Sequence, residues 1–599
     1  MQTSTLVILL TGIIAMLVAL VGFLCWRMAR KNDELRHKNK VIVQELERNQ
    51  TLIERAVSHG VSRAALLLAL PMLLALASCS DNDDNPAVPD EPEPQLADYT
   101  IIYYGHGGGN LDMGLLENIM QMYMADEESY KNVSICTQYK YSSLESMQEL
   151  YDQYSALLGQ YFEPGTPGYE EAQKELGIFK AFYPYAGKTA RFVVDPGKAF
   201  IWGGDDGDAP TEPDMSAFIG PDNADITRTD SLTNFINWAA QACPARKYIL
   251  VLSDHGGGYL PHDELPAATA AKARTRGVVY DDGHKSSHFT AKTLAQAISQ
   301  ASVRPSVVYL DACLMNTAEY QFELAPTTDY LVLSTFVVPG EGGNYTELVD
   351  ALSANPDDLE QALTRFVKAT VEGWDKSASE RADGEDDEPV YHDMSVYRTA
   401  DLDALGAEIK TFTDRLVDAY QNGGDEVRAK IDKVTANAFR INEQQPEYDL
   451  IDYAVSLTLA LPDVFGSALN IPLGEAFDRS IVYQQSSHWL MENAHAVDLS
   501  VLLGCQGHYT MLYDMGGQMP LPFSFYADGT TAVPFGDTTV PGKPWGSTLD
   551  ETYGQLRFDR LTGWSRWLHL NSQEPNQECY TGYNPFADII LPDDLAPGE

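Results

Sequence analysis

The sequence predicts an α/β fold: a mostly parallel sheet flanked by helices, with a further C-terminal α/β supporting region. Three observations predict it. Lys247-Tyr-Ile-Leu-Val-Leu-Ser and Ser306-Val-Val-Tyr-Leu-Asp are continuous apolar, β-branched and aromatic runs, the pattern of strands buried on both faces. Between them, Phe289 to Gln300 has helical periodicity, with Thr290 placed to cap it. Strand, helix and strand form a right-handed βαβ unit, so both strands end on one edge of the sheet, where open α/β folds bind ligands.

Each strand leads into a residue that can do chemistry. The first continues into Asp254-His255-Gly256-Gly-Gly, the second into Asp311-Ala312-Cys313. A thiol beside an imidazole is the arrangement for nucleophilic catalysis: the imidazole takes the proton and the thiolate attacks a carbonyl. Gly256 offers an unobstructed N–H that, with the N–H of Cys313, suits an oxyanion. A lone Cys at a strand end is ordinarily a small buried hydrophobe. The matched His-Gly and Asp-Ala-Cys endings favour the reactive reading.

These two blocks resemble the caspase-like cysteine peptidases, the group that includes caspases, legumain, gingipains and clostripain. His255-Gly-Gly-Gly-Tyr and Asp311-Ala-Cys-Leu-Met-Asn are most similar to the clostripain type. The resemblance extends over Ser231-Leu-Thr-Asn-Phe-Ile-Asn-Trp-Ala, Asp281-Asp282 and Pro339-Gly-Glu-Gly-Gly-Asn-Tyr, and more faintly to Tyr448-Asp-Leu-Ile-Asp-Tyr and Trp564/Trp567. It implies a caspase-like fold and peptide hydrolysis through a thioester. His255 would be general base and acid, and Cys313 the nucleophile. Gly256 and Cys313 would form the oxyanion hole. Asp311 would select a basic P1 side chain, with Glu341 a second pocket residue; the competing reading of Asp311 is a hydrogen-bond acceptor at the strand end. Ser334-Thr-Phe-Val-Val-Pro lacks the acidic run of some relatives, which weakens a strict Arg or Lys preference. The family also implies self-cleavage between the two blocks, where Lys272, Arg274 and Arg276 stand in an Ala-rich stretch. It implies no organic cofactor; calcium activation occurs in the family, and no metal site is legible here.

The chain has 599 residues, enough for several domains, and 44% apolar residues, enough for a large core. A net charge of −45 argues against a nucleic-acid partner, which needs a basic face, and suits protein or peptide substrates that are basic. Residues 1–56 hold an apolar run, Leu6 to Trp26, long enough to span a bilayer, then a charged helix. They read as an extension ahead of a natural start near Val57 or Val61, or as the first half of a two-part leader. Residues 57–78 read as a lipoprotein signal: Arg63, a short apolar core, and Leu76-Ala-Ser-Cys79. Cleavage there would leave Cys79 lipidated, a membrane anchor for an outer-membrane or cell-surface protein. Residues 79–97 form an acidic, Pro-rich tether. The peptidase domain is expected at 98–390 and a supporting domain at 391–599. The remaining cysteines, Cys136, Cys243, Cys505 and Cys579, lack metal-binding spacing.

Tyr99-Thr-Ile-Ile-Tyr-Tyr reads as the first strand and Gly105-His-Gly-Gly-Gly-Asn as its loop. The loop imitates the second His-Gly block and a phosphate loop but lacks the Lys-Ser/Thr of the latter, so His106 is expected to be a decoy. Leu115 to Ala125 reads as a helix, Val133 to Thr137 as a strand, residues 143–180 as broken helix, and Tyr330 to Phe336 as a strand. Asp205, Asp206 and Asp208 read as a solvated turn, without the twelve-residue calcium loop. Helices are expected at 355–377, 401–420, 426–439 and 553–568. His488 and the tryptophans Trp545, Trp564 and Trp567 read as packing residues. Two rival functions remain: a catalytically inactive surface-binding lipoprotein of the same fold, and a metal-dependent hydrolase using His106 and His255, which lacks ligand spacing.

Overall fold

The computed structural model describes residues 96–161, 164–196, 217–259, 277–284, 287–381, 392–436, 447–487, 500–502, 511–512, 521–522 and 553–571. The body begins with β1 (Ala97–His106), α1 (Asp112–Met122), β2 (Val133–Lys140), α2 (Leu144–Tyr161), α3 (Pro167–Leu176), β3 (Thr189–Val193), β4 (Phe218–Ile219), α4 (Thr229–Ala242) and β5 (Ala245–Ser253). A hairpin of β6 (Val278–Asp281) and β7 (Ser287–Phe289) precedes α5 (Ala291–Ser299), β8 (Val307–Asp311), α6 (Ala318–Leu324), β9 (Tyr330–Leu333), α7 (Tyr345–Ala354) and α8 (Leu359–Arg381). Then come β10 (Asp393–Arg398), α9 (Leu402–Asn422), α10 (Gly424–Ala436), β11 (Glu447–Asp449), α11 (Leu450–Ala460), α12 (Ser467–Ser480), β12 (Ile481–Ser486), α13 (Arg557–Thr562) and α14 (Ser565–Asn571).

Among the described residues, nine strands form one sheet in the order β12-β10-β9-β8-β5-β1-β2-β3-β4. The five central strands, β9, β8, β5, β1 and β2, are parallel; β10 and β12 on one side and β3 and β4 on the other run antiparallel. Period-2 alternation divides the core. Ile102, Tyr104, Leu250, Leu252, Val308 and Leu310 face one layer, with helices α4, α5, α6 and α9. Tyr99, Ile101, Tyr103, Ile249, Val251 and Tyr309 face the other, with α1, α7 and α8. Strands apolar on both faces are what a two-sided helical cover requires.

The crossover helix begins as its sequence suggests: the Thr290 hydroxyl accepts from Thr293 N–H, and Thr293 Oγ1 accepts from Thr290 N–H, a capping box. The hairpin β6–β7 ahead of it was not apparent from the sequence, because three- and four-residue strands carry little periodicity.

The sheet continues past the boundary expected at 390/391. β10 pairs with β9, and β12 pairs with β10, so the C-terminal half supplies strands to the same sheet. Its helices share the layer of α4 and α5, with Trp564 and Trp567 fully buried there. Residues 96 onward form one compact unit. Among the described residues, no helix is long and apolar enough to cross a membrane. The apolar run Leu6 to Trp26, Cys79 and its tether up to Gln95, Asp205, Asp206, Asp208, His488, Cys505, Trp545 and Cys579 all lie outside the described residues.

Leu250 is fully buried on β5. Leu250→Ala is expected to cost about 2–5 kcal/mol through lost burial and the cavity left behind. Denaturant unfolding at unchanged m-value measures this; a loss under about 1 kcal/mol would place the residue outside the close-packed core.

Candidate active site at the switch point of the sheet

The chain goes from β1 to β2 on one side of β1, then returns to β5 on the other. The carboxyl ends of β1 and β5 therefore flank a topological switch point, the usual crevice of open α/β sheets. Register does the rest. Gly105 of β1 pairs with Ser253 of β5, and Ser253 pairs with Asp311 of β8. Two residues further along two parallel strands stand His255 and Cys313, so in-register pairing brings them level. Backbone contact between the segments is direct: a Cβ on Gly256 would lie 2.2 Å from the Cys313 carbonyl oxygen and 2.9 Å from its nitrogen.

Gly256 forms an antiparallel bridge with Val278. The flanking bonds run from Val279 N–H to the His255 carbonyl (3.3 Å) and from Gly257 N–H to the Gly277 carbonyl (3.0 Å). This is the non-hydrogen-bonded type of pair, which leaves the Gly256 N–H and C=O unused by the ladder. Two non-glycine residues beside the site adopt left-handed backbone: Val279 (φ 58°) and, directly after Cys313, Leu314 (φ 63°). Such strain in bulky side chains is held only by surrounding structure. Leu314 N–H is anchored on the Phe336 carbonyl (3.0 Å). The next loop is anchored by buried Asp393, which accepts from Thr335 N–H and hydroxyl and from Phe336 N–H.

His255 is half-buried. Burial, then the charge of His106, depresses its pKa to about 4, so the ring is neutral at neutral pH. Its Nε2 lies 2.6 Å from Asn110 Oδ1. Burial pushes the Cys313 thiol up, with Val338 N–H pulling the other way. The sulfur is 3.3 Å from Val338 N and 3.8 Å from Val338 O. The resting pair is therefore an uncharged thiol and an uncharged imidazole.

Beneath them lies a buried charged cluster. His106 has no exposed surface. Its Nδ1 is 2.8 Å from the Lys140 carbonyl and its Nε2 3.0 Å from Asp282 Oδ1. Asp282 N–H also approaches Nε2 (3.4 Å), so it is the surrounding carboxylates rather than the bonding pattern that favour the charged ring. Burial pulls its pKa down, but the bond to Asp282 and the charges of Asp254, Asp282 and Asp281 outweigh it, giving about 9. Asp282 is correspondingly driven well below the usual carboxylate range against its own burial, by its bond to His106 and that ring's charge. Lys140 Nζ pairs with Asp281 at 2.6 Å, both side chains fully buried. Asp254 accepts the N–H groups of His255 (2.5 Å) and Tyr280 (2.7 Å); burial raises it to about 8. His106, Asp281 and Asp282 lie close enough to hold a cation. They do not fit calcium, which takes six to eight oxygen ligands: one of the three groups is an imidazole, and the Asp281 oxygens already face Lys140, Ile226 N–H and Gly283 N–H.

Asp311 is 3% exposed. It accepts from Tyr345 Oη (2.5 Å), Tyr309 Oη (2.8 Å), Ser253 Oγ (3.3 Å) and Gly343 N–H (3.4 Å). That is the strand-end acceptor geometry; a carboxylate open to a substrate cation is not what this conformation presents. Gly342 covers it, and Trp374 Nε1 donates to the Gly342 carbonyl at 2.8 Å. Glu341, partly exposed, is on this same loop. Under the loop, both amide atoms of Asn118 and the hydroxyl of Tyr103 are buried without partners. Lys272, Arg274 and Arg276 lie outside the described residues.

The sequence reading missed Asn110, Asp254, Tyr345 and Asp393. Asn110 had one available signal: it ends the loop after the first strand, which the switch-point rule places beside β5.

Residues 213–488 match the model of the Clostripain family. Over these residues the chain is similar to the clostripain family. Clostripain of Hathewaya histolytica is 30% identical over 151 residues, 23% of this chain and 27% of that protein. The aligned part thus spans about a quarter of that relative's length. Among solved structures, a secreted C11 cysteine protease from Bacteroides thetaiotaomicron in complex with an irreversible peptide inhibitor is similar at 13% identity, covering 78% of this chain and 99% of that one, TM-score 0.45. An inactive zymogen C11 protease from Parabacteroides distasonis is similar at 14% identity, covering 78% and 99%, TM-score 0.43. The fold and site described above rest on this chain's own sheet and register.

Two outcomes test the geometry. Gly256→Ala is expected to disable the site, because the added methyl would meet the Cys313 backbone, which cannot rotate away. The signal is at least tenfold slower alkylation of Cys313 by iodoacetamide, or a fall in stability. An alanine variant normal in both would show that the two segments are not in contact. The second concerns His106, whose folded pKa of about 9 lies above its ordinary 6.5. Its charge contributes stability fully present below pH 6.5 and lost as pH rises through 9, about 3 kcal/mol in all. His106→Gln should flatten the decline of unfolding free energy across that window. An unchanged decline would mean that His106 is not the titrating group.

Proposed function

We propose that this chain is a cysteine endopeptidase that cleaves peptide bonds after Arg or Lys. The observation that carries the reading is the level placement of His255 and Cys313 across β5 and β8, with Gly256 against the nucleophile's backbone. The match of residues 213–488 to the Clostripain family model supports it. His255 takes the Sγ proton of Cys313, and the thiolate adds to the substrate carbonyl. The Gly256 and Cys313 N–H groups receive the oxyanion. The imidazolium then protonates the leaving amine as the C–N bond breaks, leaving a thioester. Water, deprotonated by His255, hydrolyses the thioester and frees the thiol.

The pocket around Asp311 supports a basic P1 residue. It holds a buried carboxylate, and Asn118 and Tyr103 beside it keep buried polar atoms without partners. A guanidinium or ammonium supplies donors for the Asp311 carboxylate, Asn118 Oδ1 and the Tyr103 oxygen. In the resting conformation the Pro339–Gly343 loop occupies that space, so substrate binding requires this loop to lift, bringing Glu341 to the rim. Cleavage near Lys272 to Arg276, a lipid anchor at Cys79 and an extracytoplasmic location complete the reading, consistent with an acidic chain that draws basic protein substrates.

The test uses purified protein and the Cys313→Ala and His255→Ala variants on short peptides with Arg, Lys, Asp or Leu at P1, with and without calcium. Cleavage after Arg or Lys, reduced about 10³-fold or more in either variant, is the expected result. Folded protein that cleaves none of the peptides, before and after limited tryptic nicking, would instead make it a binding lipoprotein of peptidase fold. Self-processing appears as a new fragment on a gel in the parent alone.

A further inference from the structure

The loop after β1 reads as a decoy for the catalytic block, yet the structure presses it against the base. Asn110 N–H and Leu111 N–H both bond to the Gly107 carbonyl (3.1 and 2.7 Å), making a tight turn. Gly108 (φ 54°) and Gly109 (φ 97°) are left-handed, which side-chain-bearing residues avoid. A Cβ on Gly108 would lie 2.2 Å from Asp254 Oδ1 and 2.8 Å from His255 Cδ2. Gly109 N–H bonds to Ser142 Oγ (2.9 Å), pinning the loop from behind. The glycines thus lay bare backbone along the Cδ2–Nε2 edge of the His255 ring and carry Asn110 Oδ1 to 2.6 Å from Nε2.

We propose that Asn110 is a positioning residue that holds the proton of His255 on Nε2 and leaves the Nδ1 lone pair as the base for Cys313. This rests on the peptidase reading of the site. An amide oxygen only accepts, so a neutral imidazole bonded to it carries its proton on Nε2. The bond also fixes the ring plane, as partners of catalytic and metal-bound imidazoles do. An amide rather than a carboxylate suits this site: the His106 imidazolium already lies beside His255, and a neutral partner leaves the ring uncharged and basic at rest. Asn110 is exposed, so its replacement is expected to leave Tm close to the parent's. The charged or titratable groups around the ring are His106 and Asp282 from the β1 and β6 sides, Asp254 next to it in the chain, and Cys313 across the crevice.

The experiment compares full-length protein with Asn110→Ala and Asn110→Asp by three readouts. These are kcat and KM on a peptide with Arg or Lys at P1, the pH dependence of iodoacetamide alkylation at Cys313 followed by mass spectrometry, and thermal unfolding. For Asn110→Ala, kcat should fall about 10- to 100-fold with KM within about twofold and Tm unchanged. For Asn110→Asp, the acid limb of the alkylation profile should move up by about one pH unit, because a carboxylate stabilises imidazolium. Asn110→Ala with kcat within twofold of the parent, an alkylation profile unmoved in both variants, or a loss of kcat matched by a fall in Tm would each overturn the proposal. The alkylation arm needs no peptide turnover. An inactive parent whose profile still shifts in the variants sinks the peptidase reading while upholding Asn110.

Discussion

Parallel pairing of β1, β5 and β8 in matching register is the constraint on which the site depends. Gly105, Ser253 and Asp311 stand side by side at the carboxyl edge. Everything reactive is built within a few residues of that line. A slip of one residue in β5 would turn its two apolar sets to the opposite helical layers and move His255 off the level of Cys313. The buried faces of β5, with Leu250 and Leu252 on one side and Ile249 and Val251 on the other, therefore fix the level of His255 while they hold the core together.

A second constraint sits under the same edge. His106, Lys140, Asp281 and Asp282 are buried or nearly so, with His106 against Asp282 and Lys140 against Asp281, and the buried Asp254 lies beside them. Such clusters rarely add stability compared with an apolar core, since desolvation offsets most of the attraction. Their effect here is positional. Asp254 holds His255 N–H to Tyr280 N–H, and Asp281 ties Lys140 of β2 to the N–H of Ile226 ahead of α4. Removing any one partner would leave a buried charge uncompensated, so the group behaves as a rigid floor for the crevice.

The opposite side of the crevice is closed in this conformation. Cys313 is engaged with Val338, and Asp311 is enclosed by Tyr309, Tyr345 and the Gly342–Gly343 backbone. Partnerless polar atoms on Asn118 and Tyr103 mark where that closure is incomplete. Buried polar groups without partners are expensive, and a group entering the pocket with donors of its own relieves that cost. Closure by a loop that spans Val338 and Gly342 couples Cys313 and Asp311, since the same movement would uncover both.

The sequence by itself determined the fold class, the central strands, the capped helix between β5 and β8, and the places of His255 and Cys313 just past two strand ends. These follow from local signals: two-sided apolar runs, a Thr cap, and chemistry-bearing residues at equal distances past two strand ends. Only the tertiary structure decided that residues beyond 391 extend the same sheet, that His106 is buried against Asp282, that Asp311 is enclosed by tyrosines, and that Asn110 meets His255. Each of these joins residues more than thirty positions apart or depends on burial, and neither distance in space nor desolvation leaves a periodic trace in the chain. Asn110 shows the division well. The glycines before it signal a tight turn from sequence alone, but what that turn is pressed against depends on where β5 ends.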